Sequence, residues 1–458
     1  MIRPAPADDP GVDVFAPASA EYGAATAPRN STATQHPAMV ARPKTIEELA
    51  AAVRYAIRHS LTVVPQATGH GASGTLGNDV LLVDTSLLND VVVDPPARTA
   101  RVGAGAQWGA INGAAQDHGL LGRSGSAPDV AVCGFTFGGG AGWLTRPHGL
   151  ASGVLTLVDF VDGRGQIRRA TDTAPNADDR DALWAYRGGG GVGLAATLEF
   201  DLVAVSELWA GYLLWPIDAL PAVAAAWAAT LPKFGPALTT SLAVFHAPPA
   251  PPIPAELQGA LVVHLAMAST AGPDQADALR AAFASAPPPT VDTWSPADAA
   301  TLGQIHLDPP VAVPALGYAR WLDAGAPAHA GALLAQATVA DSPIAMMELR
   351  NVANDASALP GAMTTVPGPF MLHVVGDAEH PAGASVLGTA FRQVAAIAAA
   401  ADIGRGIGSW AEGQRSVPDA LTPADRHRVA AIRRAIDPDG VIAASRFLSD
   451  DEGAGELE

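Results

Sequence analysis

VVPQATGHGASG, residues 63–74, is the stretch from which the fold of this chain is best predicted. The β-branched residues at its start predict a short buried strand, which Pro65 ends because proline cannot continue sheet pairing. The closely spaced glycines that follow, including Gly69 and Gly71, allow successive backbone N–H groups to face one side and bind an anion. His70 lies between these two glycines. A solvated histidine is the common interpretation of such a turn, so its role depends on the rest of the sequence.

Length and composition predict a large globular protein with two domains. The chain has 458 residues, of which 49% are hydrophobic and 16% are charged. Such a chain is long enough to form more than one buried core. The formal net charge of −18 argues against nucleic acid or an anionic membrane as a partner, because both require clustered Lys and Arg.

The cysteine content and the first residues do not predict export. Cys133 is the single cysteine, so an intrachain disulfide cannot form. The first residues, MIRPAPADDPGVDVF, lack the apolar run of a signal peptide. No stretch of about 18 residues is apolar enough to cross a membrane. We therefore expect a cytoplasmic protein.

The N-terminal half predicts short strands and helices in alternation. Residues 1–36 are expected to form a loose lead-in, because Pro, Ala, Ser and Thr dominate there. Thr45 predicts the N-cap of an amphipathic helix, and Glu48 completes a capping box. The dipeptide Asp162-Gly163 predicts the turn of a β-hairpin.

A second concentration of glycine occupies residues 125–150, GSAPDVAVCGFTFGGGAGWLTRPHGL. Its glycines are too frequent for a helix or an ordinary strand. Large apolar residues are interleaved with them, which is not typical of a flexible linker. We therefore predict that this block lies directly against a flat or charged ligand.

A third group of glycines, Gly188, Gly190 and Gly193, formally matches the G-x-G-x-x-G fingerprint of dinucleotide-binding folds. No clear strand precedes these glycines, and no acidic residue follows at the required distance within a βαβ unit. The fingerprint is therefore a weak match, and this type of nucleotide site is not favoured.

From about Ser206 the pattern changes to Ala-rich helical segments that alternate with apolar strands. The predicted strands are TTSLAVFHA, GALVVHLAMAS, SPIAMMELRNV and GPFMLHVVG. This alternation predicts a sheet that is covered by helices on one face. A last helix is expected to stop at Asp437-Pro438, and the acidic end DDEGAGELE is expected to be disordered.

Four motifs together resemble a known family: QATGHGASG, the glycine block just described, LWAYRGGGG and RAIDPDG. They are similar to the flavin-linked oxidases of the vanillyl-alcohol oxidase superfamily, in the berberine-bridge-enzyme-like branch. The glycine block is especially similar to bacterial members of the 6-hydroxy-D-nicotine oxidase type. The resemblance runs from about residue 38 to 205, is weaker in the middle, and resumes at 400–448.

The resemblance implies an α+β fold in which a two-part PCMH-type FAD-binding domain holds an inserted α/β substrate domain. The FAD-binding domain is expected at residues 1–205, with its core at about 37–205. The substrate-binding domain, an antiparallel sheet covered by helices, is expected at 206–399. Residues 400–458 are expected to return to the FAD-binding domain.

The resemblance also implies FAD, with the pyrophosphate on the backbone of residues 66–71 and one covalent bond from His70 to the 8α-methyl of the flavin. Relatives with a second link carry a cysteine where this chain has Ala127, so Cys133 is expected to be a small buried thiol. The implied cofactor-binding residues are Gln66, Ala67, Thr68, Gly69, His70, Gly71, Gly125, Ser126, Val130, Gly134, Gly138, Gly139, Gly142, Leu150 and Val158. No metal site is expected.

Val130 falls where relatives place the residue that controls access of oxygen to the flavin. A small valine at this position resembles oxidases, whereas a bulkier leucine accompanies dehydrogenases. The resemblance therefore implies O₂ as the electron acceptor.

The catalytic residues are harder to predict, because the chain departs from the family pattern. The usual Asn of RGGGGNFG is missing from RGGGGVGL, and the motif that often supplies an active-site Tyr and Asn reads GSWAEG. The nearest candidates are Asp355, Asn354 and Trp410. Glu348 and Arg350 alternate on a predicted strand and are interpreted as a structural ion pair. The catalytic base is left unassigned.

The implied function is an FAD-dependent oxidase that takes a hydride from a C–O or C–N carbon of a small molecule and gives H₂O₂. One alternative is a flavin-dependent cyclase or isomerase of secondary metabolism without net oxidation. Another is a binding protein with an inactive flavin site. Sugars, amines and polyketide-type alcohols are all compatible substrates, and the sequence does not indicate the oligomeric state.

Overall fold

The computed structural model describes residues 10–251, 253–381 and 383–448, so the acidic end predicted to be disordered lies outside the described residues. The predicted α+β class is confirmed, and three larger sheets form the framework. The lead-in is more ordered than expected. It contains the strands Val14–Phe15 and Thr34–Gln35 and the helix Ala20–Ala25. Both strands pair with later parts of the chain, which local composition does not reveal.

A four-stranded sheet holds the loop that contains His70. Its strands, in spatial order, are Val14–Phe15, Met39–Ala41, Val80–Asp84 and Thr62–Gln66. The helix Ile46–His59 packs on this sheet through its apolar face. It begins as predicted, because the hydroxyl of Thr45 accepts a hydrogen bond from the Glu48 N–H at 3.2 Å.

A five-stranded antiparallel sheet forms the second layer of the N-terminal half. Its strands, in spatial order, are Ile167–Thr171, Leu155–Val161, Leu194–Asp201, Thr99–Gly103 and Val91–Asp94. The helices of this part of the chain are Trp108–Gln116, Val132–Phe137 and Ala177–Tyr186, and the short helix Thr145–His148 contacts the strand Leu238–His246. The first pair of strands is the hairpin predicted at Asp162-Gly163.

Part of the second glycine block is helical, contrary to the expectation from its glycine content. The helix Val132–Phe137 contains Gly134, and it ends where Gly138 begins the run of consecutive glycines. A short helix tolerates one glycine when tertiary packing holds it, at a cost of about 1 kcal/mol relative to alanine.

The third group of glycines does not begin a βαβ unit. The strand after it, Leu194–Asp201, is antiparallel to both of its neighbours. A methyl group on Gly188 would lie 2.1 Å from the carbonyl oxygen of Met363, and one on Gly190 would lie 2.0 Å from the hydroxyl oxygen of Ser445. Gly188 is therefore required because a backbone segment approaches closely, and Gly190 because a side chain does.

The middle of the chain forms one sheet of nine strands. Eight strands follow each other in space: Val291–Asp292, Trp209–Pro216, Leu261–Ser269, Leu238–His246, Ile344–Asn351, Phe370–Asp377, Ala315–Leu322 and Asp402–Gly406. The short strand Ser295–Pro296 also pairs with Trp209–Pro216. The sheet extends past residue 399, so its last strand lies in the segment predicted to return to the FAD-binding domain.

The two faces of the large sheet differ in character. One face is apolar and packs against the helices Leu220–Thr230, Asp274–Ala282, Ala330–Leu334 and Ala384–Ala398. The residues that alternate with this apolar set project from the opposite face and include several charged side chains with no exposed surface, such as Glu348 and Arg350. This opposite face meets the N-terminal half, because Thr239 donates a hydrogen bond to the carbonyl of Trp143 at 2.8 Å.

The C-terminal segment returns to the His70 side of the molecule. After the helix Pro423–Ile436, the N–H of Val63 donates to the carbonyl of Val441 at 2.8 Å, and the N–H of Ala443 donates to the carbonyl of Val63 at 2.9 Å. None of the helices in the described residues has the length and apolar character needed to cross a lipid bilayer.

Candidate functional site

The loop after the strand Thr62–Gln66 exposes a row of backbone donors. Its carbonyl groups are used: Thr68 accepts from the Arg29 N–H at 3.1 Å, and Gly69 accepts from the Asn30 N–H at 3.3 Å. Within the described part of the chain, the N–H groups of residues 67–71 donate to no protein acceptor. A run of such N–H groups in a glycine-rich turn fits the negatively charged pyrophosphate of a nucleotide.

Two features fix the shape of this loop and its charge. Gly69 has a φ of +72°, and a methyl group there would lie 2.6 Å from the Cβ of Pro28, so only glycine fits. The Arg446 guanidinium donates through Nη2 to the carbonyl of Gly71 and through Nη1 to the carbonyl of Ala411 at 2.8 Å. The loop therefore has a cation beside it, which favours an anionic ligand.

His70 is held through both ring nitrogens. Nδ1 lies 2.9 Å from the hydroxyl oxygen of Thr68, and Nε2 lies 3.3 Å from a carboxylate oxygen of Asp129. Asp129 is itself bound by Arg29, whose Nε lies 3.1 Å from the second carboxylate oxygen. The hydrogen bond from His70 and the nearby guanidinium hold the pKa of Asp129 well below its usual range. Asp129 and Arg29 were not among the residues predicted from the sequence.

The second glycine block is closed mainly by protein atoms. A methyl group on Gly142 would lie 1.9 Å from the carbonyl oxygen of Ser124, and one on Gly139 would lie 2.4 Å from the terminal carbon of Met363. Gly138 and Gly125 are similarly close to other parts of the chain. Packing within the protein thus requires glycine at several positions of the block that was predicted to form a ligand wall. Contact of these residues with FAD stays a prediction.

Gly134 is the exception within the block. It is exposed, and a methyl group there would meet nothing within 4 Å. Val130 and Cys133, on the same turn of chain, are half-buried, and Asp129 connects this turn to His70. The structure therefore brings His70, Val130 and Gly134 to one open surface.

The remaining predicted cofactor residues differ in their surroundings. The side chain of Gln66 turns away from the loop, because its amide donates to the carbonyl of Ala25 at 2.9 Å and its oxygen accepts from Gln35 at 2.7 Å. Ser126, Leu150 and Val158 are buried. Ala67 is half-buried at the start of the loop.

A chain of charged side chains lies on the face of the large sheet that meets the N-terminal half. We refer to Asp308, His306, Glu348, His373 and Glu412, in this spatial order, as the charged chain. The successive distances between nitrogen and oxygen atoms are 2.7 Å, 3.3 Å, 3.8 Å and 3.0 Å. The middle member, Glu348, has no exposed surface, whereas the carboxylates at both ends are partly exposed.

Arg350 fixes the centre of the charged chain. Its Nη2 atom lies 3.1 Å and 3.2 Å from the two carboxylate oxygens of Glu348, as the alternation on this strand suggested. The guanidinium lies between two indole rings, with its carbon 4.1 Å from the ring centre of Trp143 and 4.8 Å from that of Trp410. The hydroxyl of Ser241 donates to Glu348 at 2.5 Å. A buried carboxylate with this many partners stays ionised.

The pKa values of the charged chain follow from this arrangement. Burial alone would lower the pKa of His306, but the adjacent carboxylates of Asp308 and Glu348 outweigh burial and raise it to about 10. Glu412 and Glu348 similarly outweigh burial and raise the pKa of His373 to about 9. Burial would raise the pKa of Glu348, but Arg350 and His306 outweigh it and hold the pKa well below the usual range. At neutral pH the chain therefore alternates anions and cations.

Both ends of the charged chain adjoin the His70 loop. At one end, Asp308 is followed by Pro309, whose carbonyl accepts a hydrogen bond from Arg29, the residue that binds Asp129. At the other end, Glu412 follows Ala411, whose carbonyl is bound by Arg446. The open surface at His70 and the charged chain thus border the same region of the molecule.

The predicted catalytic residues lie in different places. Trp410 is buried beside the charged chain, with its ring centre 4.7 Å from that of His373 and its Nε1 donating to the carbonyl of Ala141 at 3.0 Å. The side chain of Asn354 stabilises a turn, because its amide donates to the carbonyls of Thr145 and Val352 at 3.1 and 3.0 Å. Asp355 is exposed on the following loop. Their catalytic roles stay predictions.

Cys133 is half-buried, and burial raises the pKa of its thiol. A protonated thiol is a weak nucleophile. Cys133 is thus less buried than expected, and the expectation that it forms no bond to a cofactor stays a prediction.

Comparison with known proteins identifies the class. Residues 37–171 match a family described as an FAD binding domain, and curated proteins similar to this part of the chain are named FAD-linked oxidoreductases and oxidases. The unpaired donors of residues 67–71 and the adjacent cation lie within or beside this region and fit that cofactor.

One curated relative is the (R)-6-hydroxynicotine oxidase of Paenarthrobacter nicotinovorans, which is 31% identical to this chain over 185 residues. That alignment covers 40% of this chain and 39% of the relative, so the match spans only about two-fifths of each protein.

Two solved structures share the fold over nearly the whole chain. The berberine-bridge-enzyme-like 1 protein of Physcomitrella patens has a TM-score of 0.78 at 18% identity, covering 94% of this chain and 95% of its own. Glucooligosaccharide oxidase from Acremonium strictum, described with a 6-S-cysteinyl, 8α-N1-histidyl FAD, has a TM-score of 0.74 at 17% identity, with the same coverage. These two structures confirm the predicted fold.

Proposed function

We propose that the protein is an FAD-dependent oxidase that takes a hydride from a C–O or C–N carbon of a small molecule and passes the electrons to O₂, giving H₂O₂. The FAD would be bound covalently through His70. When bound, FAD supplies the redox chemistry, and the protein supplies binding, orientation and electrostatics.

One observation carries the proposal: His70 lies in a loop whose backbone N–H groups have no acceptor among the described residues, inside a region that matches an FAD binding domain. The loop would hold the pyrophosphate, and His70 would fix the isoalloxazine end. The related structure with an 8α-histidyl FAD supports the assignment of a histidine to this role. Gly134 and Val130 would then border the ring system.

The charged chain would orient the substrate. His306 and His373 are held protonated and Glu348 is held ionised, and the ring nitrogens of both histidines face carboxylates of the charged chain itself. These groups would therefore act on a substrate through their fixed charges and not as hydrogen-bond donors. None of the three is a strong base at neutral pH. This arrangement supports a polar substrate that needs little assistance in losing a proton, such as an amine that binds uncharged.

The names of the relatives support net oxidation, since they are oxidases of 6-hydroxynicotine and of glucooligosaccharides. No contact in the described residues favours the alternative of a cyclase or isomerase. Amines and sugars are therefore the first substrate classes to test.

The test is a substrate panel assayed by peroxide release. The purified protein is expected to be yellow and to release H₂O₂ with at least one amine, sugar or alcohol, with loss of the flavin absorbance when O₂ is excluded. Flavin that is reduced by a substrate without any later peroxide release in air would contradict an oxidase. A colourless protein that does not bind added FAD would contradict the whole proposal.

A further inference from the structure

We propose that Asp129, held by Arg29, is the residue that prepares His70 for bond formation with the flavin. This inference rests on the covalent link proposed above and assigns the residues that enable it. Asp129 is a positioning residue in this scheme, because it acts on the flavin only through the imidazole.

The hydrogen bonds of His70 select one form of the imidazole. A carboxylate can only accept, so the nitrogen that faces Asp129, Nε2, carries the proton. A neutral imidazole has one N–H, which leaves Nδ1 with a free lone pair, and Nδ1 accepts from the hydroxyl of Thr68. Nδ1 is therefore the nucleophilic nitrogen.

The position of Asp129 also matches the charge that develops in the reaction. When Nδ1 forms a bond to carbon, positive charge spreads over the ring and onto Nε2. The carboxylate lies 3.3 Å from Nε2 and can stabilise this charge, and the proton on Nε2 then passes to solvent. Arg29 and the hydrogen bond from His70 hold the pKa of Asp129 low, so this carboxylate is ionised at neutral pH.

The scaffold holds Arg29 in place independently of any ligand. Its backbone N–H donates to the carbonyl of Thr68, and its side chain donates to the carbonyl of Pro309 as well as to Asp129. Arg29 therefore connects the His70 loop, the turn that carries Asp129 and the loop beside the charged chain. Its side chain is only 17% exposed, so Asp129 is oriented by a well-anchored cation.

Formation of the covalent link is a two-electron oxidation of the 8α-methyl group. One N–C bond forms between His70 and the 8α-carbon, and one N–H bond and one C–H bond break. The two electrons and two protons that this releases pass to O₂, which is reduced to H₂O₂. Dioxygen is the oxidant of the proposed function as well.

The test measures covalent attachment separately from binding. Full-length wild-type protein, Asp129→Asn, Asp129→Glu and the control Asp117→Asn are prepared with little flavin and mixed with FAD. Asp117 is an exposed aspartate with no role in the site. Bound FAD is measured from absorbance after gel filtration, and linked flavin from the fluorescence of the denatured band on a gel.

Asp129→Asn is expected to bind FAD like the wild type but to form the link about 10- to 100-fold more slowly, the usual value of a hydrogen bond to a charged group. Asp129→Glu is expected to restore part of the rate, and Asp117→Asn is expected to match the wild type.

Equal rates of linking in Asp129→Asn and wild type would overturn the inference and leave the proposed oxidase intact. Loss of FAD binding in Asp129→Asn would also overturn it, because Asp129 would then act in binding. A wild-type protein that holds FAD without any covalent link would refute the link itself and this inference with it.

Discussion

Replacing Glu348 by glutamine tests whether the charged chain is held together by alternating charges. Glu348 is completely buried and lies within 3.3 Å of His306 and 3.1 Å of Arg350. Glutamine keeps the size and some hydrogen bonds but removes the only anion at the centre. Arg350 would then lose the carboxylate that binds it, and each imidazolium would keep only the carboxylate at its own end of the charged chain.

The expected loss of stability follows from the burial of Glu348. Two carboxylates raise the pKa of His373 from 6.5 to about 9, and Glu412 contributes more than Glu348, so only part of this effect is lost with Glu348. Removing one partner of a buried ion pair typically costs about 3–5 kcal/mol. We therefore expect Glu348→Gln to lower the free energy of unfolding by about 3–5 kcal/mol at pH 7.

The direction of the pH dependence is fixed by the same values. A group whose pKa is raised in the folded state stabilises fully below its unfolded pKa, and this stabilisation is lost as the pH rises through the folded pKa. For His373 and His306, the loss is therefore expected as the pH rises through about 9 and about 10. In Glu348→Gln the same loss is expected at lower pH.

Urea unfolding followed by tryptophan fluorescence measures both effects, because Trp143 and Trp410 lie on either side of Arg350. The control is Glu256→Gln, which removes an exposed carboxylate and is expected to leave the midpoint unchanged. Equal stability of Glu348→Gln and Glu256→Gln at pH 7 would refute the alternating-charge arrangement. The arrangement would also be refuted if the wild type and Glu348→Gln lost stability over the same range of alkaline pH.

Two further substitutions test the region around the proposed cofactor. Val130→Leu is expected to slow reoxidation of the reduced protein by O₂ while leaving reduction by substrate nearly unchanged, and stopped-flow absorbance measures both rates; an unchanged reoxidation rate would remove Val130 from control of oxygen access. Gly142→Ala is expected to destabilise the protein by about 1–3 kcal/mol, because the added methyl group collides with the carbonyl of Ser124. Gly134→Ala, whose added methyl group meets nothing within 4 Å, is the matched control. It is expected to raise the midpoint slightly, because alanine is favoured over glycine in a helix by about 1 kcal/mol, and to weaken FAD binding. Equal midpoints for the two alanine variants in urea unfolding would contradict the packing explanation of the block.

Local sequence patterns predicted much of the fold. The capping box at Thr45 and the hairpin at Asp162 were sufficient to place a helix and a turn, because each depends on residues that are close in the chain. Composition was misleading for the lead-in, whose strands form only by pairing with segments far along the chain. Strand patterns also gave no register, so the extension of the large sheet to Gly406 could not be predicted.

The candidate site likewise contains residues that local sequence patterns reveal and residues that only the fold brings together. His70 was found because glycines on both sides make an unusual local pattern. Asp129 was not found, because an aspartate in a glycine-rich turn has no local feature that points to a distant histidine. The charged chain is the extreme case: His306 lies in a loop, His373 and Glu348 lie on different strands, and only the folded sheet brings them together.

Glycine content was the least specific signal. It predicted a ligand wall, yet a methyl group on Gly142 would collide with neighbouring backbone. Close packing of two protein segments and close approach of a ligand impose the same requirement on a residue, and the sequence does not distinguish them. Gly134 differs only because the folded chain leaves space beside it.

The central claim is that His70 is the attachment point of the flavin, and peptide mass spectrometry tests it most directly. Trypsin releases residues 59–98 as one peptide, because no Lys or Arg lies between Arg58 and Arg98. The account predicts that this peptide from purified protein carries a flavin on His70 and that the same peptide from His70→Ala does not. An unmodified wild-type peptide, or a flavin attached to the peptide that contains Cys133, would contradict it.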